Sequence, residues 1–578
     1  MKTNFLLVLL ARTLLLLLFG VLSCPSAFGQ TETASISGYI TDQSGAILPG
    51  ATVKLTNVET NIDASQSSNG SGLYVFTNVK PGRYRIVVQK PRFRQIALTD
   101  MTVNVQDLLS RNFRMQVGAV GESITVNGDM AYINTVSGTV STVVDQHFVD
   151  NMPLNGRSFQ SLIALTPGVV FTTAELANSQ FAVNGQRPDA NYFMVDGVSA
   201  NFGIGPNIDN GQTLGGTTPA FTSAGGTNGL VSVDAMQEFR IQTSTYAPEF
   251  GRTLGAQISI VTKSGTNQLH GLVFDYLRND VFDARNWFDV PPLPKPPLRQ
   301  NDFGGTLGGP LKKDQLFFFF SYEGLRVLLP KTASSTFYTA SARQVVAPAY
   351  KPYVNALPLP TAPPVDPNCD NVTNPCIAPL IVGYSDPSDL DATSLRVDYS
   401  INKRINLFGR YDHAPSSDSI RNWEEEEVDN VNIDTATMGA TITFAPTKVN
   451  DFHANWSRST GSVIHNLTDF QGAVIPSNSV VFPPPYSPNT GSAVVLFPDG
   501  DGMEVRVGTS TVNTQRQLNF LDNFSWTLGT HQLKMGIDYR HLRPTNGEST
   551  GWTVFPAAFS SLVAGTADTV LLEVRDPR

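Results

Sequence analysis

The segment Gln515–His541 reads QRQLNFLDNFSWTLGTHQLKMGIDYRH, which is the pattern of two β-strands joined by a turn at Gly529-Thr530. Side chains alternate between the two faces of a strand. The residues of one face are apolar or aromatic: Leu518, Phe520, Phe524, Trp526 and Leu528, then Leu533, Met535, Ile537 and Tyr539. The other face is mostly polar, and Leu521 and Asp522 break the pattern. Soluble antiparallel sheets show the same alternation, but its recurrence in several hairpins after a secretion signal favours a membrane β-barrel.

The composition supports this interpretation. The chain has 578 residues, of which 15% are charged and 10% are aromatic, and its mean hydropathy is close to zero. These values exclude a helical membrane bundle, which needs repeated apolar runs of about 20 residues, but they suit a β-barrel, whose inner face is polar. The net charge of -9 and the lack of a Lys/Arg cluster argue against nucleic-acid binding.

The first 29 residues have the features of a signal peptide, with an apolar core at Thr13–Leu22 and cleavage predicted after Gly29. The alternative is a lipoprotein box that would lipidate Cys24. In an exported chain, Cys369 and Cys376 are predicted to form one small disulfide in a Pro-rich loop. Two unpaired thiols are the alternative.

Residues 30–118 are predicted to form a compact β-sandwich, because short strands alternate with turn residues about every ten positions. The motifs occur in the order G-x-[ITV]-x-D, L-P-G-A-x-V, G-x-Y-x-F and P-G-x-Y. This order resembles the carboxypeptidase regulatory-like (transthyretin-like) domain, which is not catalytic despite its name. The segment contains no zinc-ligand spacing. Residues 119–131 follow as a linker that contains the extended stretch ESITVN.

Residues 132–268 are predicted to be a mixed α+β unit, in which Asp145 caps a short helix. Three of its motifs are MPLNGRSFQSLIALTPGV (Met152–Val169), NGQRPDANYFMVDGV (Asn184–Val198) and FRIQTSTYAPEFGRTLGAQISIVTKSGTNQLHG (Phe239–Gly271). They resemble the plug of TonB-dependent outer-membrane receptors, above all the Oar-like branch, which also carries a regulatory-like domain in front. The resemblance implies that Arg187, Asp196 and Gly197 hold the structure of the plug rather than bind ligand. The Gly/Thr-rich stretch Asn201–Gly229 is predicted to be a flexible loop facing the ligand.

Residues 269–578 are predicted to be the N-terminal part of an outer-membrane β-barrel. About nine candidate strands are joined by short turns at one end and long insertions at the other, which is the asymmetry of periplasmic turns and extracellular loops. The predicted insertions are Leu329–Pro387, Ala414–Asn432 and Thr460–Asn513. Plugged transporters have about 22 strands, and an open sheet edge cannot persist in lipid. The chain is therefore expected to be a fragment or a truncated product.

The predicted fold class is mainly β: an N-terminal β-sandwich, an α+β plug domain and a partial antiparallel transmembrane β-barrel. Within the barrel, Phe317–Phe320 is predicted to direct two rings to lipid and two to the inside.

No constellation in the sequence has the spacing of a catalytic or metal site, so no enzyme activity, cofactor or metal is predicted. The seven histidines are scattered. The stretch Asp499–Gly502 is interpreted as a loop turn, because it lacks the terminal Glu of a calcium loop. The run Glu424–Glu427 is interpreted as a solvated loop, and the alternative is that it attracts cations outside the cell.

The resemblance to TonB-dependent receptors implies energy-coupled import, in which TonB with ExbB and ExbD moves the plug and admits a bulky ligand. By position, the TonB-contacting strand would be Glu122, Ser123, Ile124, Thr125 and Val126, although ESITVN departs from the common acidic-Thr-Val-Val-Val form. An ordinary last strand or linker is the alternative for this segment. The implied partners are TonB with ExbB and ExbD, outer-membrane lipid and an extracellular ligand, for which oligosaccharides, peptides and metal chelates are all compatible.

Two other functions are compatible with the same sequence. One is a surface receptor or adhesin that uses this scaffold without transport. The other is a secreted soluble β protein that binds glycans or peptides.

Overall fold

The computed structural model describes most of the chain. The described residues are 32–118, 123–127, 137–151, 159–171, 180–204, 216–247, 249–285, 295–484, 486–498, 503–547 and 550–573. The predicted signal peptide with Cys24, Glu122 of the candidate TonB strand, Met152–Ser158 of the first plug motif and the Asp499–Gly502 turn all lie outside these residues. Within them, every helix is too short or too polar to cross a membrane.

Residues 32–117 form a β-sandwich, called the N-terminal module below. Its strands are β1 (Ala34–Thr41), β2 (Thr52–Asn57), β3 (Asp63–Ser67), β4 (Leu73–Val79), β5 (Gly82–Gln89), β6 (Gln95–Val103), β7 (Leu108–Ser110) and β8 (Phe113–Arg114). One sheet has the order β4-β1-β7, with β8 also on β1, and the other has the order β3-β2-β5-β6. Alternation places the apolar residues between the sheets: in β5, Tyr84, Ile86 and Val88 are buried while Arg83 and Arg85 are exposed.

Strand β9 (Ser123–Asn127) lies next to β6, in parallel register from Gln95 opposite Ser123 to Thr99 opposite Asn127. Among the described strands it pairs only with β6, so it is the edge strand of this sheet. The candidate TonB-contacting segment is therefore an additional strand of the N-terminal module.

Residues 137–262, called the middle domain below, are α+β. The strands are β10 (Val140–Val144), β11 (Val169–Phe171), β12 (Phe181–Val183), β13 (Tyr192–Val195), β14 (Val198–Ser199), β15 (Met236–Ser244) and β16 (Gln257–Thr262). The helices are α1 (Gln146–Asn151) and α2 (Gln160–Ile163), with 3-10 turns at Pro188–Ala190, Thr227–Gly229 and Val233–Ala235. The main sheet has the order β10-β15-β16-β13-β14. As predicted, Asp145 caps the first helix: its Oδ1 accepts a hydrogen bond from the Phe148 amide at 2.9 Å.

The remaining strands form one sheet of twelve, called the large sheet below. They are β17 (His270–Asn279), β18 (Arg299–Lys312), β19 (Leu316–Tyr338), β20 (Ile377–Asn402), β21 (Ile405–Asn422), β22 (Glu425–Ala445), β23 (Lys448–Leu467), β24 (Gly491–Leu496), β25 (Glu504–Leu528), β26 (His531–Thr545), β27 (Thr550–Phe555) and β28 (Thr569–Glu573). Their order is β17-β18-β19-β20-β21-β22-β23-β25-β24-β27-β28, with β26 also on β25. The described strands thus make an open sheet, and the prediction of about nine strands was too low.

Short helices lie in the connections between these strands. They are α3 (Ala340–Val345), α4 (Lys351–Ala356), α5 (Asn478–Val481) and α6 (Phe559–Ala564), with 3-10 turns at Asp280–Phe282 and Phe470–Gly472. Helices α3, α4 and α6, together with strand ends, enclose an apolar cluster around Tyr338, Val354 and Phe559.

Around the opening segment the large sheet is mostly polar inside and apolar outside, as predicted, whereas Phe319, Val431 and Ile433 add apolar side chains to the inner face elsewhere. In β25 most buried residues are polar, among them Gln515, Gln517, Asn519, Asn523 and Ser525. Leu518 and Phe520 on the opposite face are both 41% exposed. At the break in the pattern, Leu521 is buried and Asp522 lies on the outer face, where the Asn450 side chain donates to it at 2.6 Å. The predicted alternation of the Phe317–Phe320 rings between the two faces of the sheet is also confirmed, because Phe317 and Phe319 are buried and Phe320 is exposed.

The predicted insertions are partly wrong, because the strands continue well into them. The stretch Ala414–Asn432 is a hairpin with a tight turn at Trp423-Glu424. The first insertion shrinks to residues 339–376, between β19 and β20, and the third to residues 468–503, between β23 and β25. In these distal parts both strand faces carry polar residues, so the apolar alternation on which the prediction relied is lost.

The predicted flexible loop at Asn201–Gly229 is also wrong for the residues that the structure describes. Asn201, Phe202, Ile204, Phe221 and Thr227 are all buried between the middle domain and the large sheet. Residues 205–215 lie outside the described part.

Candidate functional site at the middle-domain interface

The site begins with a two-residue turn. Strands β13 and β14 pair directly at Val195 and Val198, which leaves Asp196-Gly197 as the connection. Both residues have positive φ, 47° for Asp196 and 79° for Gly197. This is the backbone of a type I′ turn, for which Asp-Gly is a preferred sequence. The turn carries Asp196 from the middle domain onto the polar face of the large sheet.

The Asp196 carboxylate is fully buried and held by both domains. It accepts hydrogen bonds from the Thr262 amide at 3.0 Å and from Arg396 Nη1 at 3.1 Å. Arg410 Nε lies 3.0 Å from Asp196 Oδ2, but its N–H is not directed at that oxygen, so the contact is an ion pair without a hydrogen bond. Burial alone would raise the pKa of Asp196, but Arg410 and Arg396 outweigh it and hold the pKa below its usual range.

A chain of charged groups leads from Asp196 to the N-terminal module. Arg396 donates to Asp398 at 2.8 and 3.1 Å, and Lys80 Nζ of the N-terminal module donates to Asp398 at 2.9 Å. The three parts of the protein therefore share one electrostatic network, because Asp196, Arg396 and Lys80 each come from a different part.

His453 closes the other side of the turn. Its Nδ1 lies 3.0 Å from the carbonyl oxygen of Asp196, and its Nε2 lies 3.1 Å from Asp451. A Cβ atom at Gly197 would lie 3.2 Å from the His453 ring. Position 197 therefore requires glycine both for its φ and for the close approach of the ring.

Glu32, at the start of the described chain, faces the same turn. Its Oε2 would be 3.6 Å from a Cβ atom at Gly197. Burial, together with the negative charge of Asp196, raises the pKa of Glu32 to about 7. A carboxyl that changes charge near neutral pH thus lies between the N-terminal module and the middle domain.

A second contact joins the N-terminal module to β15 and β16 of the middle domain. The Val105 amide donates to Glu238, and Arg240 donates to Asp107. Gln106 donates to Ser259 Oγ at 2.8 Å and accepts from Gln242 at 2.6 Å. Burial raises the pKa of Glu238 to about 8. The contact is polar throughout.

Further hydrogen bonds hold the middle domain on the large sheet. The Ser199 amide donates to Asn519 Oδ1 at 2.9 Å, and Gln517 Nε2 donates to the Ser199 carbonyl at 2.8 Å. The Ser223 amide donates to Ser416 Oγ at 2.9 Å. Much of this interface consists of exchangeable polar contacts, to which water can offer the same partners.

The short turns of the large sheet contact the N-terminal module. Asn61 donates to Asp314 at 3.2 Å, Lys403 pairs with Asp63 at 3.0 Å, and Asn69 donates to the Gly529 carbonyl at 2.9 Å. The N-terminal module therefore covers the end of the sheet that carries the turns at Asp314, Lys403 and Gly529, which we call the near end. The Trp423-Glu424 turn lies at the far end.

The structure brings together only some of the residues singled out in the sequence. Asp196 and Gly197 lie at the centre of the interface, whereas Arg187 is exposed before the 3-10 turn at Pro188. Cys369 and Cys376 are bonded to each other, with their Cα atoms 5.1 Å apart. Ser123–Val126 forms part of β9, and Glu122 lies outside the described residues.

Sequence reasoning missed Arg396, Arg410, His453 and Lys80. A signal was present: Arg396-Val-Asp398 and Arg410-Tyr-Asp412 repeat one spacing on consecutive strands, which places each arginine and aspartate on the same face. An arginine on the inner face of a barrel strand indicates an acidic partner in whatever fills the barrel.

Two family models match the chain. That of the carboxypeptidase regulatory-like domain matches residues 35–116, and that of the outer membrane beta barrel domain matches residues 261–571. The TonB-dependent transporter Oar of Myxococcus xanthus is 30% identical over 319 residues, which are 52% of this chain and 27% of that protein. The match thus spans little more than a quarter of the length of this relative.

Solved structures with similar folds have low sequence identity. The outer membrane transporter YddB from Escherichia coli is 10% identical with a TM-score of 0.48, and the similarity covers 72% of this chain and 50% of YddB. The siderophore receptor PirA from Acinetobacter baumannii is 11% identical with a TM-score of 0.44, and the similarity covers 70% of this chain and 48% of PirA. The family model of the outer membrane beta barrel domain matches more than half of this chain, so the chain belongs to that family.

Proposed function

We propose that this protein is an outer-membrane TonB-dependent receptor that imports a bulky ligand by energy-coupled movement of its middle domain. The observation that carries the proposal is the polar interface around Asp196. The middle domain rests on the inner face of a sheet whose outer face is apolar and exposed, and it is held there in large part by hydrogen bonds and ion pairs. Water can replace these polar contacts when the domain moves, so the cost of movement lies mainly in the apolar part of the interface, around Phe319, Val431 and Ile433.

Strand β9 is the proposed point of attachment for TonB. It is an edge strand among the described strands, and Thr125 and Val126 in it are exposed. An exposed strand edge accepts a strand from a partner through main-chain hydrogen bonds. A pull on β9 would act first on β6, its neighbour in the N-terminal module. The segment after β6 contacts the middle domain through Val105 and Asp107. ExbB and ExbD would supply the energy of the proton-motive force to TonB.

The test is a disulfide that fixes the middle domain to the large sheet. Ser199 and Asn519 are hydrogen-bonded across the interface, so the double variant Ser199→Cys/Asn519→Cys can be oxidised to a cross-link. Cells would be offered a ferric catecholate labelled with radioactive iron, a fluorescent oligosaccharide and a fluorescent peptide. We expect uptake of one of these probes to require TonB, to stop on oxidation and to return on reduction.

The matched control joins two strands of the large sheet to each other. Asn450 and Asp522 are hydrogen-bonded between β23 and β25 on the outer face, so Asn450→Cys/Asp522→Cys should leave uptake unchanged when oxidised. Uptake that persists without TonB would contradict the proposal. Binding of a probe to the cell surface with no uptake would instead support a surface receptor that does not transport.

A further inference from the structure

An acidic patch lies at the far end of the large sheet, away from the Asp196 network. Glu425, Glu427 and Asp429 alternate along β22, so their side chains share one face of the strand. His465 of β23 is directly opposite Glu427, and Asp418 of β21 is directly opposite Asp429. Three neighbouring strands thus place four carboxylates and one imidazole together. We call these five residues the far-end cluster.

Three members of the far-end cluster have the spacing of a ligand set. One donor atom each of Glu425, Glu427 and His465 lies within 4.8 Å of the other two. His465 Nδ1 lies 2.6 Å from Glu425 Oε1. Glu425 is 3% exposed and Asp429 is 2% exposed, so the interpretation of Glu424–Glu427 as a solvated loop is wrong.

An independent observation is that carboxylate oxygens in the cluster have no partner. Among the residues that the structure describes, no hydrogen-bond donor reaches Glu425 Oε2 or Asp429 Oδ1, and both atoms are buried. A buried carboxylate oxygen without a donor loses its hydration and gains nothing in return. Asp429 lies two residues from Glu427 on the same face, so its free oxygen belongs to the same patch.

In the part of the chain that the structure describes, His465 is the basic side chain that pairs with this patch. None of Glu425, Glu427 and Asp429 forms an ion pair with a described lysine or arginine. Arg506, on the neighbouring β25, is paired with Glu504 at 3.4 Å. Several like charges this close cannot all ionise without a counterion.

We propose that Glu425, Glu427 and His465, with Asp429 as a fourth ligand, bind a divalent transition-metal cation, for which Zn²⁺ is the best fit. Zinc accepts imidazole nitrogen and carboxylate oxygen in sites with four ligands. Calcium takes six to eight ligands, all of them oxygen, which suits a cluster with an imidazole less well. The ion would fasten β22 to β23 at the far end, independently of whether the protein transports.

The test is zinc binding to the full chain, purified in detergent and stripped with a chelator. We expect calorimetric titration at neutral pH to give one Zn²⁺ per chain, and Glu427→Gln and His465→Gln each to raise the Kd at least about 100-fold, because ligand loss exceeds the effect of losing an outer partner. Glu426→Gln is the matched control. Glu426 neighbours both ligands but lies on the other face, where Ser419 Oγ donates to it at 2.7 Å, and its removal should change the Kd less than about threefold.

Folding is checked by circular dichroism of each variant, and Asp429→Asn replaces any variant that loses its β signal. Anomalous scattering at the zinc edge from crystals of the unmutated protein locates the ion without any substitution. The proposal is overturned if zinc does not bind, if the anomalous peak lies away from the cluster, if Glu426→Gln weakens binding as much as Glu427→Gln, or if calcium binds there in preference to zinc.

Discussion

The near and far ends of the large sheet both bury carboxylates, but they balance the charge differently. At the near end, Asp196 is surrounded by Arg396, Arg410 and two Thr262 donors. At the far end, Glu425, Glu427 and Asp429 face each other and one histidine. Burial of a charge is tolerated only when a partner compensates for lost hydration. The comparison shows that arginines of the protein itself balance the charge of Asp196 at the near end, whereas no described lysine or arginine pairs with Glu425, Glu427 or Asp429 at the far end.

The largest effect is expected from Asp196→Asn, which leaves Arg396 and Arg410 facing each other without their common anion. Breaking a buried pair from one side costs about 3–5 kcal/mol, so the free energy of unfolding in detergent should fall by that amount in a urea titration. The exposed pair Arg83–Asp100 is the control. Asp100→Asn should cost less than about 1 kcal/mol, and an equal loss in both variants would remove the distinction between buried and exposed pairs.

The next largest loss of stability is expected from Gly197→Ala. A residue with a Cβ at this positive φ costs roughly 1–2 kcal/mol, and here the added atom would also press on the His453 ring at 3.2 Å. Gly185 has a similar φ of 76° with nothing within 4 Å of its Cβ position, so Gly185→Ala measures the backbone cost alone. In the same titration Gly197→Ala must lose more stability than Gly185→Ala. Equal losses would show that the turn does not press on β23.

Asp429→Asn is expected to stabilise the metal-free protein, in contrast to the two substitutions above. The change removes a buried negative charge next to Glu427 and Asp418, and we expect the free energy of unfolding to rise by roughly 1–2 kcal/mol. Adding zinc should reverse the order, because the variant then lacks a ligand. If Asp429→Asn destabilises the metal-free protein, the far end is balanced without an ion and the comparison between the two ends fails.

The most local effect is expected from pH, at the contact between the N-terminal module and the middle domain. The pKa of Glu238 is about 8 in the folded protein against an ordinary value of 4.5. The folded state therefore holds a proton that the unfolded state releases, and stability falls as pH rises from about 4.5 to about 8, by at most about 1.4 kcal/mol per unit. The protection of the Val105 amide from hydrogen exchange, taken relative to the intrinsic rate at each pH, should fall over this range, and Glu238→Gln should flatten the response. A fall in protection that survives this substitution would assign it to another group, such as Glu32.

Sequence reasoning succeeded where one physical rule acts along the chain. The β25–β26 hairpin was predicted because its outer side chains are apolar and its inner ones polar. The distal part of the β21–β22 hairpin, Ala414–Asn432, was predicted as an insertion because neither strand face has to be apolar beyond the membrane. The Asp196 turn was visible in the sequence, but its partners were not, since Thr262, Arg396 and Arg410 come from distant segments. The far-end cluster depends on strand register in the same way.

The length of the strands has a consequence for how far the protein extends beyond the membrane. Strand β20 has 26 residues and β25 has 25, whereas about ten residues suffice to cross a bilayer. At about 3.3 Å per residue, more than half of each strand lies outside the lipid. The far ends of these strands therefore lie tens of ångströms from the membrane surface.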